Sequence, residues 1–245
     1  MQIKDYQVVL LGLLIALGSI FSTYILSEAI VKFQKLQNQT IKVTGSASQN
    51  VTSDRASWSL QLRNVRPTLK EGYAKLNADT KEVINFFETN GIPKENIEIA
   101  AINSYENYRR LPNGNTTNEV ESYNVYRYIT VKSNDINKLT DISKKVDELV
   151  DKNINLSSEN VQYFVSNLDD IKVKMVGEAS KNAKERAKSM IAGTNGRIGV
   201  MTGAKMGVFQ IVPIDSTEVN DYGINDTSSI EKKVVATVSA TFSVK

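Results

Sequence analysis

Hydrophobic and polar positions keep three different rhythms along this chain. From Val8 to Leu26 (VVLLGLLIALGSIFSTYIL) the residues are apolar on every helical face, and no charge intervenes between Asp5 and Glu28. At 1.5 Å per residue the run reaches about 28 Å, close to the ~30 Å hydrocarbon core of a bilayer. The pattern predicts a membrane-spanning helix over residues 8–26 behind a short tail at 1–7, and it makes the lipid bilayer a partner. Ser19, Ser22 and Thr23 can bond to their own helix backbone there. A cleaved signal peptide competes, because Ser27-Glu28-Ala29 offers small residues at a cleavage site. Against it, the apolar run exceeds the ~7–15 residues of a signal's apolar region. Residues 27–39 stay helix-compatible and read as a stalk, with Ile30, Val31, Phe33 and Leu36 as its apolar members.

From Thr40 onward the rhythm alternates between periods of two and of about 3.6. Thr40 to Ser48 reads as a strand, and Ala56, Trp58, Leu60 and Leu62 share one parity of a second, half-buried strand. A helix follows Pro67, with an apolar stripe of Leu69, Tyr73, Leu76, Val83, Ile84 and Phe87, and Asn90-Gly91 closes it. Ile97–Tyr108 and Ser122–Val131 read as a long hairpin around Leu111-Pro112-Asn113-Gly114. A second helix is expected over 135–152, capped by Ser133 or Asn134, with Ile136, Leu139, Ile142, Val146, Leu149 and Val150 facing the core. A strand at 161–166 precedes a third helix at 169–192, in which Ala179, Ala183 and Ala187 form a small-residue face. Arg197–Val212 reads as one strand whose Gly199, Gly203 and Gly207 share a face, a pattern that suggests close approach of a backbone or helix. Val234, Ala236, Val238, Ala240, Phe242 and Val244 form the apolar face of the last strand. The order β-β-α-β-β-α-β-α-β-β contains a split-βαβ run, which implies an α+β domain over 40–245, a mixed sheet with helices on one side.

Composition narrows the chemistry. The 245 residues include no cysteine and no histidine, and the net charge is +3. Disulfides, thiolate nucleophiles, the usual zinc and copper sites and every Ser-His or Cys-His pair are therefore excluded. So modest a charge gives no reason to expect nucleic acid as a partner. Flanking charge orients the apolar helix weakly: Lys32 and Lys35 after it, against Lys4 before it, would favour a cytoplasmic C-terminal flank.

Several patterns invite chemistry. Ser229-Ile230-Glu231-Lys232 matches S-x-x-K, but it lies between a loop and a strand without the companion motifs of penicillin-binding enzymes. Gly193-x-x-Gly196-x-x-Gly199 follows a helix, whereas a dinucleotide fingerprint follows a strand. Asp215, Glu218, Asp221 and Asp226 could offer oxygen ligands to calcium, yet the spacing is not an EF-hand and these are ordinary turn formers. Asp147, Glu148 and Asp151 fit a solvated helix face. No catalytic residue, metal site or cofactor is therefore singled out.

Two stretches point instead to an interface. Tyr105, Tyr108, Tyr126 and Tyr128, with Arg109 and Arg110, concentrate on the hairpin. Such residues pack across strands, anchor a protein interface, or stack a ligand. A polar excursion from Pro213 to Lys232 carries Ile214, Val219, Tyr222, Ile224 and Ile230. It has too few apolar residues for its own core and too many for a linker. It is expected to dock, either on its own domain or on a neighbour.

Ile41-Lys42-Val43-Thr44-Gly45-Ser46-Ala47 followed by Ser53-Asp54-Arg55-Ala56 resembles the opening of SIMPL-domain proteins. Glu178-Ala179 through Arg186-Ala187 and Gly196-Arg197-Ile198-Gly199 resemble that family's Ala/Lys-rich helix and the strand entry after it. Met206–Ile211 and Asp221-Tyr222-Gly223 resemble its membrane-anchored bacterial branch. Ser53 stands where many members have proline. The resemblance implies a bacterial envelope protein outside the cytoplasm, which overrides the charge hint. It implies no agreed enzymatic activity, and some members form large rings. The expectation is a non-enzymatic, self-assembling envelope protein, a homo-oligomer with a scaffold or stress-tolerance role. A module binding a partner protein or glycan through the Tyr/Arg hairpin, or a carboxylate-dependent hydrolase, stands as the alternative.

Overall fold

The structure is a computed structural model that describes residues 2–245, with side chains for all of these except 2–5, 8 and 34–38. Met1 and the side chain of Leu36 in the expected stalk lie outside the described residues. The chain opens with α1 (Gln2–Asn38). Val9–Phe33, 25 residues whose most apolar 18-residue window has a mean hydropathy of 2.3, is long and apolar enough to cross a membrane. A helix of this kind is either a membrane anchor or a signal sequence. Ser19 Oγ donates to Ile15 O and Thr23 Oγ1 to Ser19 O, both at 2.8 Å, so these hydroxyls are satisfied within the helix. The helix runs on through the expected stalk to Asn38 and carries Glu28 and Lys32 in that stretch.

The remaining elements follow in order. β1 (Thr40–Thr52) and β2 (Arg55–Arg66) precede α2 (Leu69–Thr89). Thr68 caps α2 by accepting from Glu71 N–H at 3.3 Å, and Gly91 adopts φ +78° just past its end. Then come β3 (Ile97–Ile99), β4 (Asn103–Arg110) and β5 (Thr116–Ser133). The expected second helix divides into α3 (Ile136–Ser143) and α4 (Asp147–Asp151). Ser143 Oγ takes the Thr140 carbonyl at 2.8 Å, and the backbone between the helices tightens to three-residue turns. Asp135, one position beyond the expected caps, caps α3 by accepting from Lys138 N–H, and Val150 ends up exposed. After β6 (Leu156–Ser158) and β7 (Gln162–Phe164) comes α5 (Leu168–Ile191). The expected strand over 197–212 breaks at Gly207–Phe209 into β8 (Ile198–Met206) and β9 (Gln210–Pro213), and β10 (Ile224–Asn225) precedes β11 (Glu231–Val244).

The class is α+β, and the strands fall into two sheets. One has the order β1-β11-β9-β10, with β8 also on β11; the other has β3-β5-β2-β6, with β4 on β5 and β7 on β2. The chain folds as two compact units, Met1–Ala47 with Val173–Val208 and Ala236–Lys245, and Ser48–Lys172 with Phe209–Val235.

In the larger unit, Trp58, Leu60 and Leu62 of β2 and Val125, Ile129 and Val131 of β5 are buried against Leu76, Val83, Phe86 and Phe87 of α2. The Trp58 and Phe87 rings meet edge to face at 5.7 Å, and Trp58 Nε1 donates to Ser158 Oγ and Glu159 O. In the smaller unit, Met175, Ala179, Ala183 and Ala187 of α5 are buried with Val43 of β1 and with Val238, Ala240 and Phe242 of β11.

The glycine stripe of β8 meets the expectation only in part. At Gly199 an added Cβ would meet the Ser243 side chain of β11 and, at 3.2 Å, its backbone oxygen, so the expected close approach of a backbone holds there. At Gly207 it would meet the Thr237 side chain, and at Gly203 nothing. The close approach of helix to strand falls at Gly45 of β1, over Ala179 and Ala183.

Candidate functional site

The β4–β5 hairpin is the first candidate surface. Every residue of β4 except Asn107 is exposed, and so are most of β5 from Thr116 to Glu121. Gly114, at φ +86°, supplies the turn together with the Leu111–Gly114 and Leu111–Asn115 backbone bonds. The hairpin brings the expected tyrosines together. Tyr126 stands edge to face with Tyr105 at 6.3 Å and with Tyr128 at 6.1 Å. Arg63 donates to Tyr105 Oη at 3.2 Å and Gln61 to Tyr128 Oη at 2.8 Å, so side chains of β2 hold the hydroxyl ends of these rings. Nearer the tip, Tyr108 Oη donates to Glu106 at 2.5 Å; that bond and the carboxylate's charge raise the phenol's pKa. Arg109 pairs with Glu119 at 3.2 Å, and Arg110 is exposed beyond them. An open groove on this hairpin is lined by Leu69, Tyr105, Tyr108 and Tyr123.

The excursion after β9 docks on its own unit. Its return strand β10 pairs in parallel with β9, Ile224 opposite Gln210 and Asn225 opposite Ile211. Gln210 Nε2 donates to Asn220 O and Lys233 Nζ to Ser216 O, both at 2.7 Å. Tyr163 N–H reaches Thr227 O at 2.8 Å. Ile214 and Ile224 are half-buried and Ile230 packs on the core, whereas Val219 is 79% and Tyr222 95% exposed.

Lys232 bolts this docked segment in place. It is 1% exposed, and its ammonium donates to Tyr163 O at 3.0 Å and to Asp226 O, with the Asp226 carboxylate 4.0 Å away. Burial pulls the Lys232 pKa below its ordinary value, opposed by the Asp226 charge. Burial also works against the Asp226 carboxylate, but the Ser228 hydroxyl and N–H and the Ser229 hydroxyl outweigh it and lower its pKa. The pair lines a cavity of about 110 Å³ with Arg55, Tyr163, Phe164 and Ile211. Sequence reasoning passed over Lys232 in weighing S-x-x-K. The available signal was parity, because Lys232 is in phase with the buried positions Val234 and Ala236.

Asp54, at the entry to β2, closes a latch of its own. Its carboxylate accepts from Ser166 N–H at 2.8 Å and from the Ser166 hydroxyl, and its own N–H donates to Phe164 O. The hydroxyl bond, helped by the Ser166 N–H and Arg55, lowers the Asp54 pKa. A lowered carboxylate pKa adds stability above its ordinary value of 3.8, which is lost as pH falls through the lower folded value. Asp54→Asn should therefore flatten the acid limb of a stability–pH profile and leave the neutral region's slope unchanged. An acid limb identical to the parent's would show the latch contributes nothing.

The carboxylates considered for calcium do not converge: among the described residues no three acidic side chains gather as a metal site. Asp147, Glu148 and Asp151 are exposed on α4.

The model of the SIMPL family, described as a protein of unknown function (DUF541), matches residues 41–242. The chain belongs to the SIMPL family. No curated protein matches the chain. Within this SIMPL domain the resembling residues hold structural positions: Gly45 lies under α5, and Asp54 latches β2 to the segment before α5. Ser53 donates its N–H to Ile230 O at 3.0 Å, a bond that proline at this position could not make.

Proposed function

We propose that this SIMPL protein is a non-enzymatic component of a bacterial envelope. In this reading α1 holds it in the cytoplasmic membrane, its folded part lies outside the cytoplasm, and it works by assembling with copies of itself as a scaffold or in stress tolerance. The observation that carries the reading is the β4–β5 hairpin. Beyond the last β2 pairing, Arg66 opposite Tyr123, the ribbon over residues 107–122 has only two strands and is mostly exposed. Such a ribbon is marginal on its own and gains from being covered. Its charges include both signs, Arg109 and Arg110 against Glu106, Glu119 and Glu121, so one copy can complement another. Tyrosine and arginine are the residue types that anchor interfaces. Exposed ion pairs such as Arg109–Glu119 contribute about 1 kcal/mol or less, so they set register more than stability.

Tyr105→Ala with Tyr108→Ala should reduce the assembly's mass in detergent, measured by light scattering, while unfolding stability falls by only about 1–2 kcal/mol from the lost Tyr105–Tyr126 contact and hydrogen bonds. The parent running as a monomer would end the self-assembly reading. Val219→Ser with Tyr222→Ser tests the arm as a second contact without disturbing the Lys232 bolt, and an unchanged mass would remove it. A second reading, recognition of a partner or glycan, draws support from the tyrosine-lined groove, whose ring faces suit a sugar or an apolar side chain.

A further inference from the structure

The smaller unit has one end that chain geometry places beside the exit of α1. β1 begins two residues after Asn38. α5 runs antiparallel to β1: Ser46 N–H donates to Asn182 Oδ1, and further along Arg186 donates to Thr44 O, both at 3.1 Å. The last turns of α5 therefore reach the start of β1, where Lys42, Ser189 and Met190 line an open groove. The turn after α5 arrives at the same end. Arg197 pairs through its backbone with Lys245 at 2.6 and 2.8 Å, and neighbouring Val244 N–H donates to Gln39 O at 2.8 Å. The apolar stretch of α1 closes at Phe33. The five helical residues that follow rise ~8 Å, and counted from Leu26, the end of the uncharged run, the twelve to Asn38 rise ~18 Å along the helix axis, less where the helix tilts. That leaves this end within reach of long cationic side chains to the headgroups.

Charge and apolar exposure at this end agree with that placement. From Glu185 to Val200 there are three cations and one carboxylate, and Lys42 of β1 lines the same groove, in a chain whose net charge is only +3. All four cations are exposed, and the carboxylate, Glu185, pairs with Lys188 at 2.9 Å. Met190 and Val200 project between them at 62% and 71% exposure. Cations flanking single apolar side chains, close to a membrane exit, make a surface suited to anionic lipid.

We infer that residues 188–200, the end of α5 and the turn into β8, rest on the bilayer and bind the phosphate headgroups of anionic lipid. This rests on the reading that α1 spans a membrane. The docking holds the smaller unit against the lipid surface instead of leaving it to swing on a single helix.

The chain has no cysteine, so a single introduced thiol can be labelled without background. Full chains carrying Met190→Cys, or as control Lys174→Cys on the same helix ~24 Å back, take a bimane label and enter lipid nanodiscs doped with headgroup-spin-labelled lipid. In discs containing phosphatidylglycerol, quenching at Met190→Cys should exceed that at the control several-fold. The excess should shrink in pure phosphatidylcholine or high salt. It should drop a further fivefold or more with Lys188→Glu and Arg197→Glu, since each cation near an anionic surface contributes about fivefold. Equal quenching at both positions overturns the inference. So does an excess indifferent to lipid charge and salt, or a Met190→Cys label shielded in both lipids, which would put a second copy there. A chain that alkaline carbonate strips from membranes overturns the spanning reading as well. A chain that stays embedded while the labels quench equally overturns this inference alone.

Discussion

Replacing Gly45 with alanine is expected to cost about 3 kcal/mol or more, because among the described glycines it is the one whose added Cβ would meet backbone atoms closer than 3.0 Å. A Cβ at this position would sit 2.2 Å from the Ala179 carbonyl oxygen, 2.3 Å from the Ala183 nitrogen and 2.7 Å from Ala183 Cα. All three are backbone atoms, so no rotamer change relieves the clash; α5 or β1 must move as a body. The alanine face of α5 and the bare backbone of β1 are one device that lets helix and strand approach this closely. Denaturant unfolding in detergent, followed by far-ultraviolet circular dichroism, measures the loss. Gly203→Ala is the matched control, because nothing lies within 4 Å of its added Cβ. Equal effects at the two sites would contradict the packing described.

Lys232→Ala is expected to cost on the order of 3–5 kcal/mol, the range for removing one member of a buried charge pair. It leaves the Asp226 carboxylate buried without its counter-charge, orphans the Tyr163 and Asp226 carbonyls and opens a void behind β11. The joint variant Lys232→Met with Asp226→Asn should recover most of the loss, because no charge then remains buried. The pH dependence has a definite sign. The folded Lys232 pKa lies below 10.5, so between the two values the unfolded chain holds more protons. This group's contribution to stability therefore rises with pH through that window, and Lys232→Met should remove that rise. An unaltered unfolding midpoint in Lys232→Ala would show that the arm is held by its backbone pairing alone.

How much of this was legible in the sequence depended on whether a signal was local. The parity of Ala56, Trp58, Leu60 and Leu62 and the Ala179-Ala183-Ala187 spacing read correctly, because a buried face repeats within one element. The break between α3 and α4 did not, because the pattern of apolar positions continues across it while Ser143 and Thr140 hydroxyls compete for the helix carbonyls. The β8–β9 break was hidden in the same way, since glycine and valine extend a strand pattern as readily as they interrupt it. The hairpin tyrosines were visible as a cluster, and the structure adds which of them meet. Lys232 was the clearest omission: a lysine is presumed solvated until a carboxylate and two carbonyls are brought around its end, and these come from Asp226 and from Tyr163, 69 positions away.

By itself the sequence determined the apolar helix, the α+β class, the family and the absence of thiol and imidazole chemistry, because each depends on residue types or on periodicity along a short stretch. Only the tertiary structure decided that the polar excursion folds back on its own unit, that Gly45 is the contact point for α5, and that the strands divide between two sheets. Those outcomes are set by pairings between residues far apart in the chain, where hydrogen-bond partners and steric fit select one arrangement among many that the local pattern allows.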